Sequence, residues 1–130
     1  MKYLLDVNTL IALGLIEHQF HDRVAVWMKT QANSTFFTCS ITELGFVRVI
    51  AQVSAYDSNV TQARNLLLQL KKNKSFRIEF LTDANDIAHL PAWVTAPGRT
   101  TDGHLAQLAA ANNALLATVD KSIPGAYVIP

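Results

Sequence analysis

Lys2-Tyr3-Leu4-Leu5-Asp6-Val7-Asn8-Thr9-Leu10-Ile11-Ala12-Leu13 is a short β-prone run, then a carboxylate, then a helix. Lys2 to Leu5 suits a strand buried on both sides, Asp6 closes it, and Val7 to Leu13 carries the apolar density of a short helix. The same order recurs downstream. Thr35-Phe36-Phe37-Thr38-Cys39 is β-branched and aromatic, and Ser40-Ile41-Thr42-Glu43 matches the Ser-x-x-Glu capping box that opens a helix. Late in the chain Thr101-Asp102 starts an alanine-rich helix through Leu105, Leu108, Ala109 and Ala111. Leu115-Leu116-Ala117-Thr118-Val119 is then a buried strand ending at Asp120.

Between these units, Phe20, Val24, Val26, Trp27 and Met28 recur near helical spacing and predict an amphipathic helix from His18 to Ala32, with Trp27 in the core. The helix after Glu43 runs through Leu44, Phe46, Val47 and Ile50. Another, capped by Ser58, runs through Ala63, Leu66, Leu67 and Leu70 into Lys71-Lys72-Asn73-Lys74, a solvated end favoured by the helix dipole. Phe76 to Leu81 alternates apolar and charged residues like an edge strand with one wet face. Thr82 or Asp83 can cap a short helix that Pro91 ends after Leu90, and Ala92 to Thr100, with Pro97 and Gly98, is the long loop. Alternating strands and helices, joined by right-handed crossovers, predict a three-layer α/β/α sandwich around a central parallel sheet of about four or five strands.

The 130 residues suit one domain, 1–130. Half are apolar and 16% charged, which excludes a disordered chain. Eleven Lys and Arg against ten Asp and Glu leave a net charge of +1, so any site for a polyanion must be local. The single cysteine, Cys39, reads as a small buried hydrophobe in a reducing cytosol. The apolar run before Asp6 is too short for a signal peptide and none later is long enough to span a bilayer, so a cytoplasmic protein without membrane contact is expected.

Asp6, Glu43, Asp102 and Asp120 lie at a strand end or a helix start, whereas Glu17, Asp22, Asp57 and Glu79 fall on solvated faces. Ligands of an open α/β sheet bind beyond the carboxyl ends of its strands, where all four can converge. Converging carboxylates repel and raise one another's pKa unless a cation stands between them. An all-oxygen set suits Mg²⁺ or Mn²⁺ and disfavours zinc. Each acid also fits a local role: Asp6 and Asp102 as helix caps, Glu43 as the capping-box acid, and Asp120 at the start of a turn.

In order and spacing, Leu4-Leu5-Asp6-Val7-Asn8, Ser40-Ile41-Thr42-Glu43, Thr101-Asp102-Gly103-His104-Leu105-Ala106 and Ala117-Thr118-Val119-Asp120 span essentially the whole chain. Together they make it similar to the PIN-domain ribonucleases, and most closely it resembles the VapC-type toxins of bacterial toxin-antitoxin pairs. The resemblance implies an endoribonuclease dependent on Mg²⁺, with Mn²⁺ as a substitute, that inhibits translation until a cognate antitoxin neutralises it. Asp6, Glu43, Asp102 and Asp120 match the family's acidic positions, Asn8 and Thr118 its supporting polar ones, and Thr101 the Thr or Ser before the third acid. The implied chemistry is metal-assisted hydrolysis. Asp6 and Asp102 are assigned to direct coordination, Asp120 to coordination directly or through water, and Glu43 to coordination or water activation. Gly103 and His104 depart from the commoner family residues, which leaves the substrate contacts there open.

Arg48, Arg64, Lys71, Lys72, Lys74, Arg77, Arg99 and Lys121 are candidates for a phosphate-contacting rim. Arg99 and Lys121 are the strongest, being close in sequence to proposed metal ligands, and His104 is a third RNA-contact candidate. His18 and His21 read as exposed helix residues rather than metal ligands. Trp93 can stack on a base or pack a subunit contact. The apolar run Ile11, Leu13, Leu15 and Ile16, with Phe46, Val49 and Ile50, exceeds what a small core hides and predicts a homodimer and a groove for an antitoxin peptide, unless it is an ordinary amphipathic pair.

Three other functions compete. Asp6-Val7-Asn8-Thr9 resembles the Asp-x-Asp-x-Thr opening of haloacid-dehalogenase-like phosphatases, but Asn8 stands where the second acid belongs. A receiver domain has a similar length and strand-end Asp but wants adjacent acids after its first strand. A catalytically silent PIN-like module would hold RNA or a protein without cutting, and the intact four acids argue against it.

Overall fold

A computed structural model describes residues 1–130. Ten elements follow in order: β1 (Lys2–Leu5), α1 (Val7–Gly14), α2 (His21–Thr30), β2 (Thr35–Thr38), α3 (Ser40–Gln52), α4 (Val60–Lys71), β3 (Ile78–Phe80), α5 (Thr100–Ala111), β4 (Leu115–Thr118) and β5 (Tyr127–Val128). The strands form one sheet in the order β3-β2-β1-β4-β5, and every pairing is parallel. This is the expected three-layer α/β/α sandwich. The chain winds outward in both directions from β1, so the strand order reverses between β1 and β4 and opens a crevice beyond their carboxyl ends.

Alternation along the strands divides the core. Tyr3, Leu5, Phe36 and Ala117 face α1 to α4 and pack on Leu10, Val24, Trp27, Phe46 and Leu67. Leu4, Phe37 and Leu116 face the other way and pack on Leu105, Leu108 and Ala109 of α5. Cys39 is fully buried beneath α5, as its apolar setting predicts. No helix is long and apolar enough to cross a membrane.

Several local expectations are corrected. The second helix starts at His21, because His18 Nδ1 accepts the Phe20 N–H at 3.0 Å in a preceding turn. His18 and His21 are half-buried, and His21 Nδ1 lies 2.8 Å from the Ala12 carbonyl. The capping box before α3 is shifted by one residue: the Cys39 N–H donates to Thr42 Oγ1 at 2.9 Å, which frees Glu43 from capping. Asn59, not Ser58, caps α4 by exchanging bonds with Gln62. The helix expected before Pro91 is a single tight turn, Ile87–His89 capped by Asp86, because Asp83 is engaged by His104 across the fold. The edge strand is only Ile78–Phe80, and Phe80 is 50% exposed. β5 was not expected; at two residues it is too short to leave a pattern.

The apolar surplus assigned to a dimer face is internal: Ile11, Leu13, Phe46 and Ile50 are buried, and Leu15 and Val49 pack against them, leaving Ile16 exposed. The exposed apolar surface is instead formed by Leu44, Val60, Leu68 and Phe80, around a groove of about 560 Å³ between α3 and α4. Trp93 packs against the α5 side of its own core. That packing explains Gly103, where a β-carbon would overlap Val94 Cγ2, so only glycine lets this segment lie against α5.

Candidate active site

The crevice is built around Asp6, which ends β1 and caps α1. Its Oδ1 accepts the Asn8 N–H at 2.8 Å and its Oδ2 accepts the Thr118 hydroxyl at 2.5 Å. The cap expectation for Asp6 and its placement at the crevice therefore both hold. Asn8 supports the acid through its backbone, while its side chain is exposed. Thr118 ends the neighbouring strand β4 and is fully buried; its Oγ1 also accepts the Asp120 N–H at 3.0 Å. One hydroxyl thus ties the first acid to the last.

Asp120 opens a turn, with its Oδ1 accepting the Ser122 N–H at 2.8 Å and the Ser122 hydroxyl at 2.6 Å. Asp102 lies in the first turn of α5 and does not cap it, and the partial positive charge of that terminus favours a carboxylate there. Arg99 stands between the two, its Nη1 3.5 Å from Asp102 Oδ2 and 3.9 Å from Asp120 Oδ2.

Electrostatics couple the three aspartates. Burial pushes the Asp6 carboxyl above its ordinary value, the Thr118 and Asn8 bonds oppose the rise, and Asp102 and Asp120 add to it. Burial also raises Asp102; Arg99 pulls it down and Asp120 pushes it up. Asp120 is held below the usual range by its bonds from Ser122.

Glu43 sits on the other side of β1. Register pairs Leu4 with Phe37, so Thr38 comes level with the end of β1. Glu43 Oε2 accepts the Thr38 hydroxyl at 2.5 Å and the Lys71 ammonium at 2.6 Å. Lys71 is therefore no solvated helix end: its side chain is 25% exposed, and its ammonium also lies 5.5 Å from the Phe80 ring centroid. No hydrogen bond or ion pair joins Glu43 to the aspartates.

Sequence reasoning missed Thr38 and Ser122 as parts of the site, and took Lys71 for a rim or helix-end residue rather than the partner of Glu43. Thr38 had a readable signal, a threonine closing an apolar strand as Thr118 does, whereas Lys71 meets Glu43 only through the packing of α4 on α3. Of the proposed RNA contacts, Arg99 faces the acids, Lys121 is exposed, and His104 is engaged by Asp83. Burial alone would raise Asp83, but its bonds from His104 and the Asn85 N–H hold it below the usual range. Thr101 is exposed and, with His104, Ile41 and Leu90, lines a pocket of about 230 Å³ beside Asp102.

No three of these side chains close into a cage around a metal ion. The donor set still fits Mg²⁺ or Mn²⁺, since Mg²⁺ keeps several waters and needs only one or two direct carboxylates. Asp6, Asp102 and Asp120 supply oxygen alone, and their mutual repulsion is what a divalent charge relieves.

The PIN domain family model matches residues 3–127. Ribonuclease VapC44 of Mycobacterium tuberculosis is 34% identical over 129 residues, covering 95% of this chain and 89% of that protein. Ribonuclease VapC29 of the same organism is 34% identical over 124 residues, with the same coverage. Among solved structures, VapBC2 from Rickettsia felis bound to a DNA fragment from their promoter aligns with a TM-score of 0.67 at 18% identity, over 98% of this chain and 97% of that one. The match runs from β1 to β5 and takes in all four acids, so the chain belongs to the PIN-domain family, with VapC ribonucleases among its relatives.

Proposed function

We propose that this chain is a Mg²⁺-dependent endoribonuclease, with Mn²⁺ as a substitute, and the toxin of a toxin-antitoxin pair acting in the cytoplasm. Residues 1–130 would form one nuclease domain that hydrolyses RNA phosphodiester bonds and inhibits translation until its antitoxin neutralises it. The observation that carries this reading is the meeting of Asp6, Asp102 and Asp120 at the switch point of the sheet, linked through Thr118 and Arg99, in a chain whose relatives are named ribonucleases.

In this reading Asp6 and Asp102 would hold the ion directly and Asp120 would hold it directly or through water. A bound divalent ion lowers the pKa of water and neutralises phosphate charge. Thr118 fixes the Asp6 carboxylate, so the ligand does not have to be ordered when the ion arrives. Glu43 has its Oε2 taken by Thr38 and Lys71, which leaves Oε1 to orient a water or an outer ligand. A protein partner, the antitoxin or a second copy in a homodimer, would cover the face of Leu44, Val60, Leu68 and Phe80.

The test is cleavage of a mixed structured-RNA pool by antitoxin-free protein in Mg²⁺ or Mn²⁺, beside EDTA and Asp6→Asn. Cleavage lost in both controls, with Asp6→Asn folded, is the expected result. A folded Asp6→Asn protein that cuts at the normal rate refutes the assignment. RNA binding without metal-dependent turnover would favour the silent module.

A further inference from the structure

Arg99 is placed oddly for a residue whose only task is to grip RNA. It belongs to the tight turn Pro97–Arg99 that leads into α5, and its side chain is only 31% exposed. Its Nη1 donates to Ser122 Oγ at 2.9 Å and its Nη2 to the Ser122 carbonyl at 2.7 Å. The distances to Asp102 and Asp120, 3.5 and 3.9 Å, are longer than hydrogen bonds. The guanidinium carbon also lies 6.0 Å from the Trp93 ring centroid.

This division of contacts matters. Neutral partners fix the fork: Ser122 accepts from Arg99 through Oγ and carbonyl while its own hydroxyl donates to Asp120 Oδ1. The charge is not consumed in a bidentate pair with either acid, as it would be in a structural salt bridge. Arg99 Nη1 stands instead beside two carboxylate oxygens, Asp102 Oδ2 and Asp120 Oδ2, that accept no hydrogen bond, Ser122 bonding Asp120 only through Oδ1.

We propose that Arg99, pinned by Ser122, is a built-in counter-cation that balances Asp102 and Asp120 in the absence of metal and holds divalent affinity down. This inference rests on reading the three aspartates as a divalent-cation site. A guanidinium anchored to the turn stays in place when the carboxylates turn to an ion. It then carries a positive charge that nothing neutralises at the mouth of the crevice, where a phosphate must arrive. Arg99 is on this view a positioning residue.

Removing the charge has two opposite consequences. Without metal, Asp102 and Asp120 repel with nothing between them, so the protein is less stable. With metal, a competing charge is gone. A +1 and a +2 charge about 6 Å apart repel, under water-like screening, by an amount worth about tenfold in affinity.

The experiment is calorimetric titration of the full chain with MnCl₂ alone, together with thermal unfolding in EDTA and in Mn²⁺, for wild type, Arg99→Gln and Arg99→Lys. The expected result is about tenfold tighter Mn²⁺ binding by Arg99→Gln, binding by Arg99→Lys within about threefold of wild type, and a larger Mn²⁺-induced rise in melting temperature for Arg99→Gln. A merely structural latch predicts the reverse, with both variants loosening the 120–122 turn and weakening Mn²⁺ binding. Wild type that binds Mn²⁺ beside an Arg99→Gln protein that binds it no more tightly overturns the counter-cation. Absence of Mn²⁺ uptake by all three proteins overturns the divalent-site reading itself. Uptake by Arg99→Gln where wild type shows none supports both.

Discussion

Replacing Thr118 by Val tests the link between the buried hydroxyl and the acids most directly. Valine keeps the shape and the β-branching, so no cavity opens and strand preference is unchanged. What is lost is a bond from the hydroxyl to the Asp6 carboxylate at 2.5 Å and the acceptor for the Asp120 N–H at 3.0 Å. A hydrogen bond to a charged group contributes about 1.5–3 kcal/mol, and a stranded backbone donor costs about 1 kcal/mol more. The expected loss at pH 7 is therefore about 2.5–4 kcal/mol, or roughly 10 °C in melting temperature for a domain of this size. The loss depends on pH in a definite direction. Asp6 already has its carboxyl raised above 3.8 by burial, and the Thr118 bond works against that rise. Without the bond the folded-state pKa climbs further. A group raised on folding contributes stability that is fully present below its unfolded pKa and is lost as pH rises through the folded value. The deficit of the variant relative to wild type should accordingly be larger at pH 7 than at an acidic pH below the ordinary value of 3.8, where the carboxylate takes up its proton. Urea unfolding in EDTA at both values, with Thr118→Ser retaining the hydroxyl as a control, measures it. A deficit below about 1 kcal/mol at pH 7, or one equal at both pH values, would refute the coupling.

Two further outcomes follow from the packing. Gly103→Ala should destabilise the chain by about 1–2 kcal/mol despite alanine's better helix propensity, because the added carbon overlaps Val94 Cγ2, and Val94→Ala should recover most of the loss in a double-mutant cycle. Additive penalties would show that the two residues do not meet. Lys71→Met should cost no more than about 1 kcal/mol in urea unfolding, as expected of a partly exposed ion pair. The same variant should slow RNA cleavage several-fold by leaving Glu43 to Thr38 alone, so an unchanged cleavage rate would place Glu43 outside the reaction.

Much of this molecule is legible in the order of its residues. Leu4-Leu5-Asp6 and Leu116-Ala117-Thr118 declare buried strands with polar closures because a strand covered on both faces must be continuously apolar. The helices from Ser40 and Thr100 follow from their apolar spacing. Errors gather where two local signals are equivalent and distant contacts choose between them. Ser40 and Cys39 each offer a start to α3, and Thr42 settles it by turning back to the Cys39 N–H. Asp83 is as good a cap as Asp86, yet His104, 21 residues away, takes it. The apolar face of α1 looked surplus because one strand and one helix in isolation do not reveal how much of it α3 and α4 cover.

What the sequence determined by itself is the α/β alternation, the parallel sheet and the placing of Asp6, Glu43, Asp102 and Asp120 at strand ends and helix starts. These depend on periodicity and on capping chemistry, which act over a few residues. What only the tertiary structure decided is the partnership of each acid. Asp6 joins Asp120 through Thr118, 112 residues along the chain from it, Glu43 is claimed by Lys71, and Arg99 is turned to two carboxylates by Ser122. Those contacts depend on the order β3-β2-β1-β4-β5, which sets β4 beside β1 and opens the crevice between them. Side-chain bonds and charge interactions act over a few ångströms of space, whatever the separation in sequence, so only the folded chain shows which charges meet.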